Sequence, residues 1–375
     1  MEVTMAQKYV AGCMFNQTSD RYKIILGLLM CVAFLHTSYS LGLALEDWTW
    51  LYHKTITNQE MSQALSGEHQ KIIFTKTDVP AFTQLLFSWN ALRPKKGYFS
   101  FLVQSRDSVT QEWDQWHKMF EWGDDIQRSF TSKGKNSRYE YVRLEIEKNK
   151  KADGFKVKIQ AHDGASLQDL KALSINAANL DQCKTELIDS YKNNLSSIHI
   201  TGVPKRSQFM LDHPKNDVLC SPTSSSMLLG FLTKEEIDPL DFAHKSFDTG
   251  LGVYGSWPFN TAHAFERSGG KISFATVRLP SFMMLHDQLK RGSPVVVSVR
   301  GPLVGSPRPY NHGHLLVVVG WDAKKNHVIC HDPAMSSDHT VEKRYDLATF
   351  LAGWERSKRL AYIALSSQNI VSTVF

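Results

Sequence analysis

From residue 70 to 180, apolar and polar side chains alternate along the chain, and that rhythm restricts the fold more than any other feature. In "YVRLEIE", Val142, Leu144 and Ile146 are set against Arg143, Glu145 and Glu147. "GFKVKIQAHDG" repeats the pattern with Phe155, Val157, Ile159 and Ala161 against Lys156, Lys158, Gln160 and His162. A period of two sends successive side chains to opposite faces, so these segments predict half-buried strands of an antiparallel sheet. "FTQLLFSWNA" and "GYFSFLVQ" read the same way, with "RPKKG", "SKGKNS" and "ADG" as turns. Several short strands at this spacing predict a β-sandwich. The aromatic run "WDQWHKMFEW" suits core and sheet-edge packing better than sugar stacking. Glu121, Asp124 and Asp125 read as a solvated acidic turn rather than a cation or sugar site.

The rhythm changes after the polar connector "DQCKTELIDSYKNNLSS". "PTSSSMLLGFL", "WPFNTAHAFERSG" and "SFMMLHDQLKRG" read as helices, the last with a serine cap and a basic final turn. Uninterrupted apolar strands follow in "PVVVSVRG", "HLLVVVGWD" and "HVICHDP". Helices first and strands afterwards indicate an α+β domain. The expected organisation is a leader over residues 1–40, a strand-rich accessory domain over 41–190 and an α+β domain over 191–375.

The 375 residues carry a net charge of +6, spread without an arginine-rich block, so nucleic acid is not an expected partner. Arg21 and Lys23 precede the apolar run "IILGLLMCVAFL" and small residues at Ser38 and Ser40. That order fits a secretory signal, with Met5 or Met14 as alternative starts. The run is shorter than the roughly 20 residues that span a bilayer, so membrane attachment is expected only if a longer segment stays uncleaved. The destination is then secretion, the periplasm or the cell envelope. Cys13 and Cys31 would leave with the signal, and Cys183, Cys220 and Cys330 would remain. A Cys183–Cys330 bridge is conceivable, buried thiols are the favoured reading, and Cys220 is the natural free cysteine.

Cys220 stands in "VLCSPTSSSMLLGFL". Ser221 is expected to cap a helix there, with Pro222 at its first position, where a missing N–H costs nothing. Cys220 would then lie at the positive end of the helix dipole, which stabilises a thiolate. Ser224, Ser225 and Ser226 keep the first turn slim enough for another element to approach. A thiolate needs a proton partner, and "YNHGHLLVVVGWD" offers His314 at the head of an apolar strand. "HVICHDPA" is a second strand ending at Asp332, and a turn at "AKKN" would return Asp332 to His314. A carboxylate there accepts the imidazole N–H, fixes its tautomer and stabilises the charged ring. A metal site at His312, His314, His331 and Asp332 is the competing use of these residues, but no further ligand pair has zinc-like spacing. No metal or organic cofactor is expected.

The order Cys220, His314, Asp332 in these contexts resembles the papain-like cysteine peptidases, and within them the bacteriocin-processing (double-glycine leader) type. "CSPTSSSMLLGFL", "HLLVVVGWD" and "HDP" carry the resemblance, helped by "YGSWPFNTAHA", across residues 195–375. It implies a papain-like fold behind the β-sandwich, a Cys220–His314–Asp332 triad and hydrolysis of peptide or protein substrates through a thioester. It further implies an oxyanion hole from the Cys220 N–H and Gln208, and a cleft lined by Trp257 and Gly313. Gln208 lies further from Cys220 than the family's spacing, with "LDHPKND" as an insertion, and Asn216 is the alternative donor. Ser221 also replaces the family's usual glycine. A cell-wall amidase, a transglutaminase-type acyl transferase and a non-catalytic peptide-binding module are the alternatives on the same fold.

Overall fold

A computed structural model describes residues 48–66, 70–186, 191 and 195–365. The signal-like segment, Cys13 and Cys31 lie outside them. The first part runs β1 (Thr49–Thr55), α1 (Asn58–Ser66), β2 (Lys71–Lys76), β3 (Gln84–Ala91), β4 (Tyr98–Asp107) and β5 (His117–Gly123). It continues through β6 (Gln127–Ser129), β7 (Ser132–Lys133), β8 (Ser137–Glu140), β9 (Arg143–Ile146), β10 (Ala152–His162) and β11 (Leu170–Ala178). These strands make two antiparallel sheets, ordered β1-β11-β3-β9-β8-β7 and β2-β10-β4-β5-β6.

The alternation explains the burial. Along β10, Phe155, Val157 and Ile159 point into the core while Lys156, Lys158 and Gln160 stay partly exposed. Both sheets contribute to one aromatic core, in which Trp89 stacks on Phe101 with ring centroids 4.5 Å apart. Trp122 and Phe120 belong to this core, whereas Trp113 and Trp116 lie under the lysines of β10. Glu121 is buried between Lys118 and Arg128, not solvated as expected, because the two cations neutralise it there.

The second part begins with β12 (Ile198–His199), α2 (Cys220–Thr233), α3 (Pro239–Ser246), α4 (Trp257–Arg267), β13 (Ser273–Arg278) and α5 (Phe282–Lys290). It ends with β14 (Val295–Gly301), β15 (Tyr310–Asp322), β16 (His327–His331), β17 (Glu342–Asp346), α6 (Leu347–Arg356) and β18 (Leu360–Leu365). The third sheet is ordered β13-β18-β14-β15-β16-β17, with β12 beside β15. Val296, Leu315, Val317 and Val319 face α2, α3 and α4, while Val297, Val299, Leu316 and Val318 face α5 and α6. Helices on both faces are why these strands read as continuous apolar runs. The architecture is mixed, with antiparallel sheets and few helices, in keeping with the α+β expectation.

β3 departs from the expected half-burial. Leu85, Phe87, Trp89 and Ala91 face the aromatic core, yet Gln84, Ser88 and Asn90 on its other face are buried too. They meet the outer edge of β13. Asn90 accepts from the Phe274 N–H at 2.8 Å and donates to the Phe274 carbonyl at 3.1 Å. Ser88 accepts from the Thr276 N–H at 3.2 Å, and Asn176 accepts from the Arg278 N–H at 2.8 Å. Thr49 donates to the Arg278 carbonyl at 3.2 Å. Side chains thus satisfy a sheet edge whose buried backbone groups would each cost about 1–3 kcal/mol unpaired. The described residues form one compact unit.

Candidate active site

α2 begins at Cys220 itself, with Leu219 as its cap residue. The expected cap at Ser221 is therefore incorrect: the buried Ser221 hydroxyl pairs with the Tyr362 hydroxyl at 3.0 Å, and no side chain caps the helix. Pro222 sits two positions inside the helix, still within the first turn, whose N–H groups have no helical partner to lose. Ser224 donates to the Leu315 carbonyl at 3.0 Å and seats α2 against β15. Residues four apart share a helix face, so the same contact brings Cys220 beside His314, the neighbour of Leu315.

β15 and β16 pair antiparallel and turn over residues 323–326, which returns Asp332 to His314 as expected. His314 Nε2 lies 2.7 Å from Asp332 Oδ1, leaving the other ring nitrogen for the sulfur. Asp332 is fully buried. Its Oδ1 also accepts from the Ala334 N–H at 2.9 Å, and its Oδ2 accepts from the hydroxyls of Tyr310 at 2.8 Å and Tyr345 at 2.6 Å. The Tyr310 ring stacks on the imidazole with centroids 4.0 Å apart and planes 18° from parallel. Neither tyrosine was singled out from the sequence; Tyr310 opens the strand that carries His314, which is the one available hint.

Charge and hydrogen bonding act together here. Burial alone would push the His314 ring toward neutrality, but the Asp332 charge and hydrogen bond, joined by Cys220, raise its pKa to about 9. Burial alone would raise the Cys220 thiol, yet the His314 hydrogen bond and charge, with the Leu315 and Ser221 N–H groups, bring it below its ordinary value. Burial likewise opposes ionisation of Asp332, and His314, Tyr345 and Ala334 overcome it. The arrangement favours a thiolate beside an imidazolium.

Cys220 and His314 open into a cleft of about 660 Å³ whose walls include Val218, Tyr254, Trp257, Arg308 and Gly313. Gly313 holds a φ of +90°, a conformation that favours glycine. Gln208 is buried outside these walls: its amide nitrogen donates to the Asn216 carbonyl at 2.9 Å, and its Oε1 has no partner among the described residues. Asn216 turns its own amide toward the Leu211 carbonyl, 3.4 Å away. Cys183 and Cys330 are unbridged, and burial pushes both thiols up. His331 contacts the Pro204 carbonyl through Nδ1 at 3.0 Å, engaging that nitrogen away from His314.

Residues 200–362 match the model of the Peptidase_C39 like family. This match supports a papain-like cysteine peptidase assignment for the segment. Among solved structures, the chain is similar to a Bacillus anthracis chain described as a C39-like peptidase. The identity is 17%, over 46% of this chain and 98% of that one, with a TM-score of 0.36. Xylellain, a cysteine protease from Xylella fastidiosa, shares 12% identity over 49% of this chain and 90% of its own, with a TM-score of 0.32. Scores this low do not establish a shared fold. A search of curated proteins gives no match.

Proposed function

We propose that the protein is an exported cysteine peptidase that cleaves peptide bonds through Cys220, His314 and Asp332. The observation that carries this reading is the buried His314–Asp332 contact of 2.7 Å beside a thiol held below its ordinary pKa. The thiolate attacks the peptide carbonyl, and the imidazolium gives its proton to the leaving amine. The resulting thioester is then hydrolysed by water that neutral His314 deprotonates, which restores the thiolate–imidazolium pair. The Cys220 N–H supplies one oxyanion donor. Gln208 is the expected second, since one N–H of its amide remains after the bond to Asn216. Losing such a donor costs roughly 100- to 1000-fold in rate, so Gln208→Ala should fall in that range. Residues 41–190 are proposed as an accessory β-sandwich domain, and the basic-then-apolar start as an export signal to the cell envelope or medium.

A peptidyl vinyl sulfone tests the reading directly. The expected result is a single adduct on Cys220 by mass spectrometry, abolished in His314→Ala, together with hydrolysis of members of a peptide library. An unlabelled Cys220 in folded protein would overturn it. The position of Gln208 outside the cleft walls favours a second reading, a non-catalytic peptide-binding module on the same fold. Labelling of Cys220 without hydrolysis of peptides, isopeptides or cell-wall fragments would select that one. Cleavage of isopeptides or wall fragments alone would move the substrate to the amidase or transglutaminase class.

A further inference from the structure

The cleft beside Cys220 is not built by the C39-like segment alone. Gly252, Val253, Tyr254 and Gly255 form part of its wall, and both ends of this stretch are fastened to the strand-rich first part. At the near end, the buried carboxylate of Asp248 accepts from the Ser129 N–H at 2.9 Å and from the Ser129 hydroxyl at 2.6 Å, both on β6. The Thr249 N–H and hydroxyl donate to the Gln127 carbonyl at 3.0 and 2.8 Å, and the Gln127 amide donates to the Phe247 carbonyl at 2.8 Å. Asp248 then shapes the turn that leads into the wall. Its Oδ1 accepts from the Gly250 N–H at 2.9 Å, and its backbone N–H donates to the Val253 carbonyl at 2.9 Å.

At the far end, the Asn260 amide donates to the carbonyls of Tyr254 and Ser256 at 2.9 and 2.8 Å. One residue before Asn260, Phe259 enters the aromatic core of the two sheets, with its ring 5.6 Å from Trp89 and 5.4 Å from Phe120. A loop held at both ends by buried groups keeps its shape when a substrate arrives, which lowers the ordering cost of binding.

We propose that the strand-rich first part serves the cleft: β6 and the aromatic core hold residues 252–255 in place as one wall of the substrate site. Ser129 and Asp248 are then positioning residues for substrate binding, remote from the reacting sulfur. The substrate-binding half of this inference rests on the peptidase reading above. The support of the wall stands apart from it.

Two substitutions in the full chain test both halves. Ser129→Ala deletes the hydroxyl that Asp248 grips. Gly250→Ala places a Cβ 2.1 Å from the Ser129 carbonyl oxygen and must push the loop off β6. Hydrogen exchange should show residues 251–256 opening about tenfold faster in each variant, with residues 218–224 unchanged. For a cleaved peptide, KM should rise roughly tenfold with kcat within about twofold of wild type, since a wall remote from the reacting sulfur supplies binding that ground state and transition state share. Iodoacetamide labelling of Cys220 should keep its rate. Unchanged protection of residues 251–256 in a variant that melts cooperatively would overturn the support. Lost protection with unchanged KM would overturn the role in binding. If Gly250→Ala does not fold, Ser129→Ala alone decides between these outcomes. If wild type cleaves no peptide, the peptidase reading fails, and the exchange measurement still judges the wall.

Discussion

Asp332→Asn isolates the electrostatic core of the site, because it keeps the shape of the side chain and removes its charge. Asp332 is the largest influence raising the His314 pKa from 6.5 to about 9, against burial that lowers it. Without the charge, burial should hold the ring at or below its ordinary value, a fall of at least about two units, or roughly 2.7 kcal/mol. The constant for moving the proton from the thiol to the imidazole then drops by about 100-fold or more. In wild type the iodoacetamide rate at Cys220 should form a plateau between pH 6 and 8, since the thiolate is already present. In Asp332→Asn the plateau should vanish and the rate should climb toward the ordinary thiol pKa near 8.5. The loss in kcat should approach 10,000-fold, the order found when the orienting carboxylate of such a triad is neutralised. A folded Asp332→Asn protein with the wild-type plateau would refute the argument, whatever its hydrolytic rate.

Cys220→Ala should leave the fold intact, abolish hydrolysis and change how stability follows pH. In wild type, folding raises His314 and lowers Cys220, so between pH 6.5 and 9 the proton moves within the pair and net uptake is near zero. Without the thiol, folded His314 keeps a proton that the unfolded chain releases. That stabilisation is complete below about pH 6.5 and is lost as pH rises through the folded value, so wild type minus variant should grow by up to about 1.4 kcal/mol per pH unit. Urea titrations at several pH values check the slope, and a constant difference refutes it. Tyr345→Phe removes a donor to the buried Asp332 carboxylate and should cost about 1.5–3 kcal/mol in urea unfolding. A loss below about 0.5 kcal/mol would show that the hydroxyl does not support the carboxylate. Asn90→Ala unpairs both Phe274 backbone groups and should cost about 2–4 kcal/mol, whereas unchanged stability would mean that water replaces the amide.

Much of the site was legible because its residues break local patterns. A cysteine at a helix entrance, a histidine heading a valine-rich strand and an aspartate closing the next strand each depart from the apolar run around them. Tyr310 and Tyr345 do not, because a tyrosine beside a strand reads as packing until the acceptor of its hydroxyl is known. Ser221 misled for a related reason: serine favours helix caps, but here Tyr362 competes for the hydroxyl and Leu219 takes the position. Alternation located β3, β4, β9 and β10, four of the eleven strands of the first part. It did not show that Ser88 and Asn90 are buried, because a period of two gives a polar face without saying whether water or another strand lies against it. The tie between Ser129 and Asp248, 119 residues apart, left no trace in local spacing.

The outer edge of β13 has a consequence for anyone who divides this chain. A fragment starting near residue 195 would leave that strand bare, with unpaired N–H and C=O groups inviting sideways addition of another molecule. Such a piece is expected to clump rather than fold into a tidy monomer. In the intact chain the order of synthesis works against this outcome: the asparagines and serine that chaperone the strand leave the ribosome before it does.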